Sequence, residues 1–407
     1  MSLKLRSKND WGRLDMTSEW NHFALGEITE LVIDYRGKTP KKLGGDWCKQ
    51  GYRALSAKNI KTGRIVQAET IRYIDESLYR KWMKDEVQRG DILITSEAPF
   101  GQIFFWDSDE KIVLSQRLFC VRIKPEYDAR FIYYYMTTPE FQSELDGRAT
   151  GTTVIGLRQP ELMKCIIRCP EIQEQKVIAA ILSSIDAKII ANEKVNDNLQ
   201  QQAAALFSSL YDRSNTEVRF TDLIQILGGG TPKTGEKTYW NGNIAFFTPK
   251  DVGTPYTLIT EKTISEEGLS HCNSRLYPVN TVFVTARGTV GKVGMSGVPM
   301  AMNQSCYALV GKETHQLLVY FYTLKAVDRL KHKASGAVFD AITTRDFESE
   351  QIMKLSDDDA TAFLRVAEPM FQEVLNNNIE NLRLSTLRDS LLPKLMSGEI
   401  DVSAVQL

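Results

Sequence analysis

Few residues in this chain are placed to do covalent chemistry. Its four histidines, His22, His271, His315 and His332, stand at no metal-ligand spacing from a cysteine or from one another, which argues against a zinc site. Gly288-Thr289-Val290-Gly291-Lys292 resembles a phosphate-cradling loop. That loop, however, needs four residues between its glycines and Ser or Thr after the lysine; here two intervene and Val293 follows. No closely spaced glycine fingerprint for a dinucleotide or S-adenosylmethionine follows a candidate strand. Glu174-Gln175-Lys176 has the spacing of a nuclease Glu-x-Lys but falls at a helix start without an acidic partner, so a structural role is expected. There is no Gly-x-Ser-x-Gly elbow and no Cys/His pair. A catalytic chain of 407 residues would show more, and a binding role is expected instead.

The elements that would position binding residues come as a duplication. Gly37-Lys38-Thr39-Pro40-Lys41 recurs as Gly229-Gly230-Thr231-Pro232-Lys233, 192 positions later, and Ala57-Lys58-Asn59-Ile60 faces Pro249-Lys250-Asp251-Val252 at the same offset. Asp91–Thr95 resembles Thr281–Thr285, and Gly101-Gln102-Ile103 resembles Gly291-Lys292-Val293, at offset 190. Ser115-Gln116 matches Asn303-Gln304 at 188, and Thr150-Gly151-Thr152 matches Ser335-Gly336-Ala337 at 185. An offset that drifts one way, through matches in one order, is what a duplication with small loop deletions leaves.

Each copy opens with short apolar runs broken by Gly, Pro and Asn, such as Asp91–Thr95, Leu118–Ile123 and Asn280–Thr285, which read as strands. Short helical patches follow at Ala129–Met136 and His315–Lys331, and then a long helical run. From Glu174 to Arg213 there is neither Gly nor Pro, with Pro170 just upstream. Ile178, Leu182, Ile185, Ile189, Asn192, Asn196, Leu199, Ala203, Leu206 and Leu210 follow a four-three spacing, a heptad seam with two central asparagines. Unbroken, such a helix is about 60 Å long. In the second copy Phe371, Leu375, Ile379 and Leu382 continue the stripe beside Asn376–Asn378. Asp357-Asp358-Asp359 is expected to cap this helix, Pro369 to kink or restart it, and Pro393 to limit it. The two helices should pack antiparallel, with buried asparagines fixing their register and a pseudo-two-fold relation between the copies.

The expected fold class is α+β: two β-rich domains, each followed by a long helix, the helices packed as a coiled-coil-like spacer. The expected organisation is an extension at 1–21, domains at 22–170 and 214–355, helices at 171–213 and 356–397, and a tail at 398–407. Charge follows this division. Residues 1–170 carry 27 basic against 23 acidic side chains and residues 214–354 carry 15 against 13, whereas 171–213 carry 4 against 6 and 355–407 carry 4 against 9. The positive excess lies on the two β-rich blocks, a modest lean toward nucleic acid. No run approaches the roughly 18 apolar residues of a membrane span. Six scattered cysteines (Cys48, Cys120, Cys165, Cys169, Cys272 and Cys306) and a polar start with Asp10, Asp15 and Glu19 fit free thiols in the cytoplasm. Trp11 and Trp20 in the extension could be packing residues or partner contacts.

Over nearly all its length the chain resembles the specificity subunit of type I restriction-modification enzymes. The resemblance is carried by Leu25-Gly26-Glu27-Ile28, Gly37-Lys38-Thr39-Pro40, Thr285-Ala286-Arg287-Gly288-Thr289-Val290-Gly291 and Asn303-Gln304. More specific are Pro170-Glu171-Ile172-Gln173-Glu174-Gln175 before the first long helix and the C-terminal run Leu387–Ile400, which contains Leu391-Leu392-Pro393-Lys394-Leu395. Two departures stand out: Leu355 and Asp359 replace Pro170 and Glu174, and Glu97-Ala98-Pro99-Phe100 occupies the place of Arg287-Gly288-Thr289-Val290.

The resemblance implies two target-recognition domains, each reading half of a split, asymmetric site on double-stranded DNA. It implies helices that set the unread gap and dock two methyltransferase subunits, with restriction/translocase subunits joining that core, and no membrane. It further implies no cofactor bound by this chain: S-adenosylmethionine would sit in the methyltransferase partner, and ATP and Mg in the restriction partner. Phosphates attract Lys, Arg and small polar groups on Gly-rich loops, and base edges favour Arg, Lys, Asn and Gln. The DNA contacts expected on that chemistry are Lys38, Thr39, Lys41, Lys42, Lys58, Gln116, Arg117, Arg148 and Thr152 in the first copy. In the second they are Thr231, Lys233, Lys250, Arg287, Lys292, Asn303, Gln304, Lys331 and Lys333. The competing readings are the specificity subunit of a methylation-only or other multisubunit restriction system, which a methyltransferase gene next door would favour; a standalone two-domain DNA-binding regulator, which would bind tightly without partners; and a self-sufficient modification enzyme, against which the missing cofactor fingerprint counts.

Overall fold

Uninterrupted apolar runs such as Ile92-Leu93-Ile94 leave no residue suited to water, and both faces of the strands they form are buried. The computed structural model describes residues 20–151, 155–253, 255–333, 341–403 and 405. The chain forms two compact units, one from the chain up to Ala187 joined by Ser385 onward, the other from Lys188–Leu384.

In the first unit Asn21–Ala24 pairs antiparallel with Ile166–Cys169, tying together the two ends of the β-rich block. An antiparallel sheet runs in the order Thr29–Asp34, Leu118–Ile123, Ile92–Thr95, Ile103–Phe105. Its residues alternate between two cores. Ile92, Ile94, Phe119 and Val121 join helix Ala129–Met136, while Leu93, Leu118 and Cys120 join a smaller sheet of Arg72–Ile74, Tyr52–Leu55 and Ile112–Leu114. This is why period-two polarity is missing from these strands. The charge inside one run is compensated: Arg122 donates to both carboxylate oxygens of buried Asp91, each at 2.9 Å. Burial pushes the Cys165 and Cys169 thiols up to about 12, so neither is a reactive thiolate.

The second unit repeats the plan. Thr216–Arg219 pairs with Gln351–Lys354. A sheet runs Ile224–Gly228, Cys306–Gly311, Val282–Thr285, Val293–Ser296, Tyr256–Thr257. Val282, Val284 and Leu309 face the core shared with helix Gln316–Lys333, while Phe283, Cys306 and Ala308 face Met300 and Met302. Met300–Met302 belongs to a second sheet with Trp240–Phe247 and Lys262–Ile264.

The long helices span Ile172–Asp212 and Asp357–Met396 and pack antiparallel. Asp186 meets Arg388 at 2.8 Å, Asn192 meets Asn381 at 2.8 Å, and Asn196 meets Asn377 and Asn378 at 2.9 Å each. The seam is not an even apolar stripe. In the first unit's core Ile178 and Leu182 pack with Leu395 and Met396, while Ile185 is buried nearby. In the second unit's core Ala203, Phe207 and Leu210 pack with Phe371, Val374 and Leu375. Ile189, Leu199, Leu206, Ile379 and Leu382 are only half-buried, and Phe207 takes the inward place expected of Leu206. Asn381 joins the polar layer, whereas Asn376 is exposed and bonds Gln372 on its own helix.

Two expectations for the second helix are corrected. It does not restart at Pro369 but runs unbroken from Asp357 to Met396, with Phe363, Ala367 and Phe371 on either side of the proline anchored in the second unit's core. Its cap is Ser356, whose Oγ accepts from Asp359 N at 3.1 Å; the three aspartates form the first turn, where they favour the positive helix end.

The Asn layer yields a stability prediction. Asn196 is 5% exposed and bonded in both directions, so Asn196→Leu strands the Asn377 amide and the Asn378 carbonyl. The expected cost is about 1–3 kcal/mol per stranded group, read as a lower urea midpoint. Replacing Asn196, Asn377 and Asn378 together by Leu should cost less than the single change; a larger loss would refute the account.

Candidate nucleic-acid interface

In the second unit the candidate interface is built on a tight loop between antiparallel strands Val282–Thr285 and Val293–Ser296. Thr285 holds both sides of it. Its N–H donates to Lys292 O at 3.0 Å, its carbonyl accepts from Gly291 N at 2.9 Å, and its hydroxyl accepts from Lys292 N at 2.9 Å and donates to Thr289 O. Gly288 and Gly291 take the left-handed conformation at φ +82° and +74°, which a side chain would oppose. A strand follows this loop rather than a helix, so the motif is a hairpin turn and not a nucleotide-phosphate loop.

The loop presents Arg287 to an open cleft of about 420 Å³ lined also by Lys250, Lys262, Glu261, Thr289, Asn303 and Ser305. Lys250 lies 3.7 Å from Glu261, so three cations face one carboxylate. Arg287 is exposed and its guanidinium has no partner among the described residues. Alongside, Gly230 N donates to Met302 O at 3.1 Å, and Thr231 bonds Gln304. A Cβ on Gly229 would stand 2.2 Å from Asn303 O, so only glycine lets the Gly-Gly-Thr-Pro loop lie there. The fold therefore gathers Lys250, Arg287 and Asn303 in one cleft and joins Thr231 to Gln304. Lys233 and Lys292 are exposed elsewhere on these loops. Lys331 lines a separate cleft with Gly291 and Val293. Lys333 forms an ion pair with buried Glu350, which also has Arg329 at 3.6 Å, so its ammonium is committed internally.

The first unit uses the same loop frame under a different sequence. Thr95 N donates to Gln102 O at 2.9 Å, Gly101 N to Thr95 O at 3.1 Å, and Gln102 N to Thr95 Oγ at 2.8 Å. Glu97 stands where Arg287 does and is paired with Arg117 at 3.0 Å. Arg117 in turn corresponds to Ser305: Ser96 N donates to Arg117 O at 2.9 Å, as Ala286 N does to Ser305 O at 2.8 Å. Beside this pair, Gln116 O accepts from Ala57 N at 3.1 Å, which brings exposed Gln116 next to the turn carrying exposed Lys58.

The Gly-Lys-Thr-Pro-Lys segment is bound largely to itself. Lys38 donates to Trp82 O at 2.6 Å and covers the Tyr35 ring at 3.8 Å, and burial followed by the nearby Lys84 charge lowers its pKa. Lys42 bonds Gly37 O at 2.9 Å and Thr39 accepts from Lys42 N, leaving Lys41 exposed. Arg148 is held by Glu144 at 2.9 Å and Glu161 at 3.8 Å. Thr152 lies outside the described residues, as do residues 1–19 with Trp11. Trp20 packs edge-on against Phe131 at 5.8 Å. Gln175 of the Glu-x-Lys segment bonds Asp128 N and Pro170 O at 2.9 and 2.8 Å, a structural role.

Sequence reasoning missed Lys262 and Ser305 in the cleft, and Arg36, which grips Leu157 O at 3.2 Å beside the Glu97 loop. Lys262 carried a signal in Arg72, its counterpart at an offset of 190 on the equivalent strand. Ser305 carried a signal in its offset of 188 from Arg117.

Two duplicated units with paired helices and polar, cationic loops define a bipartite nucleic-acid reader. Residues 17–201 and 213–354 each match the type I restriction modification DNA specificity domain, and the chain belongs to that family. It is 23% identical over 406 residues to the specificity subunit of the type I restriction enzyme HindI from Haemophilus influenzae, covering 78% of this chain and 88% of that one. It is 22% identical over 341 residues to the MjaIX specificity subunit from Methanocaldococcus jannaschii, covering 77% and 78%. The S subunit structure of the type I restriction-modification system from M. genitalium shares the fold, with a TM-score of 0.60 over 94% of this chain and 97% of that one, at 16% identity.

Proposed function

We propose that this chain is the non-catalytic DNA-recognition subunit of a type I restriction-modification complex acting in the cytoplasm. Domains 22–170 and 214–355 each read one half of a bipartite, asymmetric DNA site, and the paired helices set the unread gap. Two methyltransferase subunits dock on this frame and carry S-adenosylmethionine; restriction subunits carry ATP and Mg. The observation that supports the reading most is that both copies match the specificity-domain family while their equivalent loops carry different side chains. One frame with two surfaces suits a site whose halves differ. Flipping and methylating the target adenine are then tasks of the partner. Among the described residues no helix is long and apolar enough to cross a membrane.

The test is co-expression with the accompanying methyltransferase in a host that lacks methylation, with modified adenines mapped by long-read sequencing. A split motif with an unread gap, lost when this chain is omitted, is the expected result. A soluble complex with active methyltransferase and no such motif would overturn it.

A further inference from the structure

The two equivalent loops keep one hydrogen-bonded base and exchange their chemistry. In both, a threonine makes the same three hydrogen bonds across the base of the loop, and the next residue donates from its N–H to the neighbouring loop's carbonyl. Inside that frame the second unit carries Arg287 with Ser305, and the first carries Glu97 with Arg117. The Arg287 guanidinium is exposed without a partner among the described residues, whereas Glu97 and Arg117 neutralise each other at 3.0 Å.

We infer that this position selects the base read by each unit, and that Arg287 reads a guanine in the major groove. The inference rests on the proposed DNA-reading function and names the base class for that site. A guanidinium offers donors only and therefore needs acceptors. Guanine presents two on its major-groove edge, N7 and O6, in the geometry of the Arg fork, whereas adenine sets a donor beside its N7. Phosphate also offers acceptors, but a loop tip used for phosphate would keep positive charge in both copies. Its counterpart here is a neutral Glu–Arg pair. Lys250 and Lys262, point charges on the walls of the same cleft, suit the phosphates better. The first unit's pair offers a carboxylate acceptor beside guanidinium donors, so the two units read different base pairs at this position.

The test maps the modified motif of the co-expressed complex with Arg287→Ala, Arg287→Gln and, separately, Glu97→Ala. Both Arg287 variants should lower discrimination for one G·C pair in one half-site by roughly 10- to 100-fold, with the gap and the other half-site unchanged. Glu97→Ala should alter the other half-site only. Uniformly weaker modification of every site with base preference intact, together with a shallower salt dependence, would assign Arg287 to a phosphate and overturn the inference. An unchanged motif, or Glu97→Ala acting on the same half-site as Arg287→Ala, would overturn it too. Absence of a split motif with the wild-type chain would instead sink the broader function.

Discussion

Exchanging residues 22–170 for the corresponding block of another specificity subunit changes one half of the modified motif and leaves the other half as it was. The effect is expected to be a switch rather than a reduction, because the exchanged block carries its own fold. Its strands share two cores, and its ends are tied by pairing of Asn21–Ala24 with Ile166–Cys169. Val177, Ile178 and Leu182 of the first long helix and Leu395 and Met396 of the second also enter that core. A graft that mismatches them loses roughly 2–5 kcal/mol per large cavity, so residues facing these five should be kept or exchanged with the block. Motif mapping by sequencing gives the answer. A change in both halves would defeat the assignment of one half-site to each domain.

Lengthening both helices by one heptad should widen the unread gap while both half-sites stay the same. The insertions belong opposite one another, between Asn196 and Leu199 on the first helix and between Leu375 and Asn377 on the second. Asn192, Asn196, Asn377, Asn378 and Asn381 then keep their partners, and the cores at the helix ends are left intact. Seven residues add about 10 Å of helix, close to the rise of three base pairs. They return the seam to within about 20° of its old face. Lengthening one helix alone shifts the asparagines out of register and should reduce stability instead of changing the gap. A paired insertion that folds and modifies DNA at the original spacing would remove the ruler from the mechanism.

Much of this frame was readable along the chain, because it rests on local pattern. The long helix was visible as a stretch without Gly or Pro, and its asparagines as a break in an apolar stripe. Strands buried on both faces appeared as unbroken apolar runs. The duplication showed through its turns, where backbone geometry demands particular residues: Gly101 and Gly291 both hold a left-handed conformation at the close of the same loop. Such features depend on neighbours a few positions away.

What a charged side chain is used for depends on partners that the chain brings in from elsewhere. Lys38 and Lys333 have the residue type for DNA, yet one bonds Trp82 and covers Tyr35 while the other neutralises buried Glu350. Lys262, absent from the expected contacts although Arg72 matches it in the first copy, lines the cleft with Arg287. The replacement of Arg287 by Glu97 could be read from alignment of the two copies alone. That Glu97 is neutralised by Arg117 while Arg287 stands unpaired among the described residues was decided by folding, because a charge is committed or left available only by the distance to its counter-charge in three dimensions.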